Sequence, residues 1–362
     1  MKAMMIGIRA TTIAVALVLL NGTSGAWAFG HPGHQLIGSL GDEMLVGSNA
    51  ALQVRSILGP RIRNLKTAAT WPDCVRDVTP DDQGNFVYND HSKFHSVACV
   101  PFEGPKERPR MEDYVRRNWT NCPGEHGQPP QACHKQYHFA DVASQHDSYD
   151  RHFVGTSERD IVSAINAAIA VLLNGAPAPA PFDIKDKKEA LLLIAHFVGD
   201  LHQPLHVGAV YLDDNGQVLD PDQPGFPLTD REQTRGGNKI EDGTTNLHSE
   251  WDGIPSGISL DSLTTPAGKK RRQALVTMMK AVPATPGRFD EWPLVWATDT
   301  VMASHGAFSG LSFTRANAKT ADDWVAQFSD RSAYLTAKID LQQQQVVKSA
   351  ARLARLLKAI WP

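Results

Sequence analysis

From Asp186 to Leu201 the chain has the spacing of a strong helix, apolar at Leu191, Leu192, Ile194, Ala195 and Val198, yet it carries His196 and Asp200 inside that apolar run. Four residues apart, the two side chains point to the same side. A carboxylate on an apolar face is costly to bury unless something pairs with it. Any fold of this chain must therefore bring a partner to that face. Pro204 cannot continue a regular helix, so the run Gly199-Asp200-Leu201-His202-Gln203-Pro204-Leu205-His206 bends and can bring His206 around the same pocket. His248 and Asp252 repeat the four-residue His/Asp spacing. More such residues stand in Gly33-His34, Trp71-Pro72-Asp73 and Tyr137-His138-Phe139-Ala140-Asp141. Imidazole nitrogen and carboxylate oxygen are the ligand types that hold catalytic Zn2+ with positions open to water. A lone His/Asp pair is more often a helix-stabilising contact. Two pairs and a bent His-bearing segment favour a metal centre.

The rest of the pattern is mainly α. Gln35–Leu58 and Ser157–Leu173 read as helices. Ala333–Ile360 reads as a long amphipathic helix with Leu335, Ile339, Val346, Ala350, Leu353 and Leu357 on its apolar side. No strand alternation of any length and no repeat stands out. Two stretches lack period: 77–130, an insertion-like loop region rich in Pro, Gly, Asn and Asp, and 212–247. No linker separates two cores, so a single domain over 29–362 is expected.

Ahead of it, Lys2 and Arg9, an apolar run from Thr11 to Leu20 and Ala26-Trp27-Ala28 make residues 1–28 a secretory signal with cleavage before Phe29. A secreted or periplasmic protein is expected, with no stable membrane association, since no later segment is long and apolar enough to span a bilayer. Four cysteines in an exported chain favour two disulfides. Three pairings are open, and proximity alone favours Cys74–Cys99 and Cys122–Cys133. The net charge of −3 excludes the basic surface of an ordinary nucleic-acid binder. A phosphate would have to be attracted by something else, such as bound metal. His31, His91, His95, His126, His134, His146 and His152 read as loop or surface residues, and His202 as structural. Asn118-Trp119-Thr120 is an N-glycosylation sequon. No obligate protein partner is evident.

The run Gly199–His206 resembles the signature of S1/P1 nucleases, a zinc family related in fold to bacterial phospholipases C. Phe29-Gly30-His31-Pro32-Gly33-His34, Trp71-Pro72-Asp73, Tyr137-His138-Phe139, Gly236-Gly237-Asn238 and Asn246-Leu247-His248-Ser249-Glu250-Trp251-Asp252 resemble the family's other blocks, in the same order. The resemblance implies a mainly α, phospholipase C/P1 nuclease-like helical fold with long loop excursions. It implies three Zn2+ ions: one on Asp73, His138, His196 and Asp200, one on His206, His248 and Asp252, and one on the Phe29 backbone and His34, with Asp200 shared. Asp73 and Asp200 would serve the catalytic step. Phe139 would stack a base, Asp141 would bond its edge and Arg76 would contact phosphate. The substrate would be single-stranded DNA or RNA, cut to 5′-phosphate products, and a 3′-nucleotidase activity could accompany this. The family usually has Trp where this chain has Phe29. The rival within the same fold is a phospholipase C-type phosphodiesterase, which usually has Glu in place of Asp252 and lacks the Phe139/Asp141 pair. Non-catalytic metal binding and a metal-free binding module are the readings from other classes.

Overall fold

The computed structural model describes all residues except 1–28, 93–94, 124–129, 176, 227–228, 230, 244 and 317–323. The expected signal segment and His126 lie outside the described residues. The helices are α1 Gly30–Leu45, α2 Asn49–Ile62, α3 Leu65–Ala68, α4 Trp71–Cys74, α5 Arg108–Arg117, α6 Ile161–Asn174, α7 Lys187–Asp200, α8 Leu247–Asp252, α9 Leu260–Thr264, α10 Pro266–Ala281, α11 Trp292–Phe308 and α12 Arg331–Ile360. The protein is mainly α, as the pattern predicts.

Side-chain caps fix where several helices start. Asp160 accepts from the Ser163 amide ahead of α6, Asp186 from Glu189 ahead of α7, Asn246 from Ser249 ahead of α8 and Asp330 from Ala333 ahead of α12. Each cap satisfies an amide that the helix itself leaves unpaired. α7 is the axis of the fold: every residue from Glu189 to Asp200 is buried. α6 lies along it, and α1, α3, α4 and α12 pack around it. The Arg117 guanidinium reaches both Glu189 carboxylate oxygens at 2.9 Å, tying α5 to the start of α7.

Several expectations need correction. The helix read over Gln35–Leu58 is two helices, broken at Gly47, whose φ of 80° the helix cannot contain. The 77–130 stretch is more ordered than its composition suggests. It holds a short hairpin, Val78–Pro80 against Phe86–Tyr88, and the helix α5. α5 escapes a periodicity search because it buries only Met111, Tyr114 and Val115 among charged residues. Strands also exist. Leu311–Arg315 and Trp324–Phe328 pair antiparallel, with Ile240–Glu241 added in parallel. On α12 the inward stripe begins with Tyr334, Lys338, Gln342 and Gln345, while Ile339 is exposed. Of these buried polar groups, Gln342 Nε2 donates to the carbonyls of Trp251 and Gly253, and Lys338 bonds Glu250, whereas the buried side-chain amide of Gln345 makes no hydrogen bond.

Both disulfides are those that proximity favours, Cys74–Cys99 and Cys122–Cys133, each with a Cα–Cα distance of 5.6 Å. Asn118 of the sequon is fully buried, and its Nδ2 donates to the carbonyls of Tyr114 and Asp183. That amide is closed to a glycan. No helix among the described residues is long and apolar enough to cross a membrane.

Candidate metal centre

Separate pieces of backbone deliver the expected residues to one place. α7 supplies His196 and Asp200 one turn apart. α4 supplies Asp73, immediately before the Cys74 disulfide. The 3-10 turn Cys133–His138 ends on His138, and the bend Pro204–His206 supplies His206. A short parallel ladder, Val142–Ala143 beside Gly208–Ala209, locks the chain after His138 against the chain after His206. α8 supplies His248 and Asp252, and α1 supplies His34.

Asp200 is the hub. Its Oδ1 lies 3.1 Å from His34 Nε2, and its Oδ2 lies 2.9 Å from His138 Nδ1 and 3.0 Å from His196 Nε2. Asp73 Oδ1 stands 3.9 Å from His196 Nε2. The second group is close by: His248 Nε2 is 3.1 Å from His206 Nε2 and 3.7 Å from Asp252 Oδ2. All eight side chains are buried. Phe29, also buried, caps α1 in a left-handed conformation with φ of 39°, and its carbonyl accepts from the Gly33 amide at 2.9 Å. Its backbone N–H lies against the Asp252 carboxylate.

The protonation pattern shows what this cluster suits. His196 Nδ1 donates to the Ala69 carbonyl, His206 Nδ1 to that of His138 and His248 Nδ1 to that of Gly236, each at 2.7 Å. A carbonyl can only accept, so each Nδ1 carries a proton and each ring turns its Nε2 into the cluster. Backbone carbonyls orient metal-binding imidazoles in this way. Two bare nitrogens at the His206–His248 distance of 3.1 Å repel unless a cation lies between them. Protonation is a poor remedy, because burial pushes His248 down to about 3 and also lowers His206. Asp73 Oδ1 and Oδ2, Asp200 Oδ1 and both His34 nitrogens are buried without a hydrogen bond. Burial opposes the charge on Asp200, but the surrounding His196, His206 and His34 hold its carboxyl well below the usual range. This is a donor set waiting for divalent ions, and it fits zinc.

Beside the cluster opens a cavity of about 380 Å³. His138, His206 and His248 line one side of it. Phe139, Asp141, Arg76, Arg235 and Asn238 are among the residues that line the rest. Phe139 is 39% exposed, so its ring is not spent on the core. Burial raises Asp141 to about 7 against the opposing influence of Arg235. The turn Arg235-Gly236-Gly237 has positive φ at all three residues. A Cβ on Gly236 would lie 2.2 Å from the Leu205 carbonyl oxygen, so only glycine fits.

Some histidines were misjudged from sequence. His31 is buried, with Nδ1 3.7 Å from Asp73 Oδ2. His134 is buried too, stacked on Trp119. His202 is structural as expected: Nδ1 donates to the Val198 carbonyl, and Nε2 accepts from Arg352. Sequence reasoning missed Gln203. Its Nε2 donates to Asp252 Oδ1 at 2.7 Å, and its Oε1 accepts from the Leu205 amide, so one side chain holds both the bend and the α8 carboxylate. Lys135 and Gln233 on the cavity wall were also missed.

Gly199 lets α1 approach α7. A Cβ there would lie 2.9 Å from His34 Nδ1. Gly199→Ala is expected to lower stability by about 1–3 kcal/mol through overpacking, read by urea denaturation, and to weaken metal retention by displacing His34.

The cluster gathers His and Asp side chains that could hold metal ions beside an open cavity, and the family follows from the whole chain. The family model described as S1/P1 Nuclease matches residues 29–362, so the chain belongs to the S1/P1 nuclease family. That family is zinc-dependent. Over 66 residues the chain is 41% identical to Endonuclease 4 of Arabidopsis thaliana, a match covering 18% of this chain and 16% of that relative's length.

Proposed function

We propose that this protein is an exported zinc nuclease that cuts single-stranded DNA and RNA to 5′-phosphate products. The observation that carries the reading is the set of backbone-oriented imidazole nitrogens around Asp200 and Asp252 beside a cavity with an uncommitted aromatic ring. Asp73, His138, His196 and Asp200 would hold one ion. His206, His248 and Asp252 would hold a second, and the Phe29 backbone with His34 and Asp200 a third. Zinc bound there supplies Lewis acidity toward the phosphodiester and activates water for hydrolysis. Asp73 and Asp200 orient the imidazoles that face them. Arg76, whose Nη1 is 3.7 Å from Asp73 Oδ1, sits at the cavity rim where a phosphate oxygen would arrive. Phe139 stacks a base and Asp141 bonds its edge. A stacked base must first be unpaired, which favours single strands over duplex.

The test uses protein beginning at Phe29, zinc-loaded, with single-stranded DNA. Chelator-sensitive release of acid-soluble nucleotides with 5′-phosphate ends is expected, and much slower release from duplex. No release would sink the nuclease reading, and turnover of phosphatidylcholine instead would put the phospholipase C-type reading in its place. Phe139→Ala is expected to weaken binding of single-stranded substrate by about 1–3 kcal/mol, the usual worth of one base–aromatic stack, visible as a raised KM.

A further inference from the structure

The cavity wall carries a cation that none of these roles uses. Lys135 belongs to the 3-10 turn Cys133–His138, three residues before His138. In a 3-10 helix, side chains three apart eclipse one another. Lys135 therefore stands directly in line with His138 on the same face, displaced by about 6 Å along the turn. Both residues line the cavity. Lys135 is exposed and has no ion pair among the described residues. The carboxylate that acts on it, Asp77, is buried, bonded by Ser92 and not in an ion pair with Lys135. Arg76 is close enough to repel it. Two cations on the wall of one cavity, in a chain of net charge −3, suit an anionic ligand. The scissile phosphate accounts for Arg76 and the metal cluster. It does not account for a second cation on the same wall, one turn of backbone before His138.

We propose that Lys135 forms a second backbone-phosphate subsite, which binds the phosphate adjacent to the scissile one. This inference rests on the nuclease reading and deepens it: the favoured substrate is an oligonucleotide with a neighbouring phosphate, not a dinucleoside monophosphate. Lysine suits the task, because its ammonium is a point charge on a flexible stem and does not demand one phosphate geometry.

The test compares the zinc-loaded full-length mature enzyme with Lys135→Ala and Lys135→Arg on three substrates: a dinucleoside monophosphate, and the same compound with an added 5′- or 3′-phosphate. Lys135→Ala is expected to raise KM on one phosphate-flanked substrate by roughly 5-fold more than on the unflanked one, and Lys135→Arg to restore most of the loss. On single-stranded DNA the slope of log KM against log salt should fall by about 0.7, the share of one single-strand phosphate contact. Equal KM changes on all three substrates, or an unchanged salt slope, would overturn the proposal. Wild-type turnover of the dinucleoside monophosphate, followed in the same assay, checks the nuclease reading separately. Zinc content by mass spectrometry shows that each variant keeps its metal centre.

Discussion

Exchange of Asp200 for Asn is expected to release bound metal and to lower nuclease turnover by more than about 100-fold, since even partners outside the ligand shell are worth 10- to 100-fold. The shape of the side chain survives, but its charge does not. Asp200 touches three rings, with His34 on Oδ1 and His138 and His196 on Oδ2. Without that charge, the facing nitrogens of His196 and His138, 3.1 Å apart, lose the anion that holds a cation between them. Metal stoichiometry and the zinc-induced rise in Tm measure the loss without any turnover. A variant that keeps its full zinc content and its zinc-dependent Tm shift would show that Asp200 is not a ligand.

The second large effect concerns the chain start. Phe29 is buried, and its backbone nitrogen lies against Asp252. A free α-amine there has a lone pair to offer once deprotonated, and its ordinary pKa near 8 makes that accessible. A peptide nitrogen has none. Protein carrying one extra residue ahead of Phe29 is therefore expected to bind one zinc fewer and to lose activity by more than about 100-fold. Equal zinc content and equal activity in the two forms would remove Phe29 from the ligand set. Because α1 still starts at Gly30 in both, circular dichroism separates this effect from misfolding.

Much of the cluster was legible because helical spacing is local. His196 with Asp200, and His248 with Asp252, need only the 3.6-residue turn to be placed together. What orients those rings was not legible. The carbonyls of Ala69, His138 and Gly236 come from segments remote in sequence, and nothing in a His codon says which nitrogen will face the cluster. The same limit hid Gln203, which reads as an ordinary bend residue until α8 arrives beside it. On α12 the hydropathy pattern chose Ile339, whereas the inward face there carries Lys338, Gln342 and Gln345, of which Lys338 and Gln342 are acceptable inside because each finds a partner across from it. In 77–130, α5 is anchored by Arg110 and Arg117 to the start of α7, and ion pairs leave no apolar period to detect.

The disulfide that ends on Cys74 also ties the wall beside Asp73 to the redox state of its surroundings. It straps Cys99, 25 residues on, to the residue next to Asp73. Thiol-reducing compartments keep such pairs open. A chain held there would leave α4 tethered by packing alone, with one wall of the metal cluster free to drift. Joined to the proposed role of the Phe29 amine, this would make activity conditional on two covalent events, one cleavage and one oxidation. A nuclease built this way would stay idle among the nucleic acids of the cell that makes it until both had occurred.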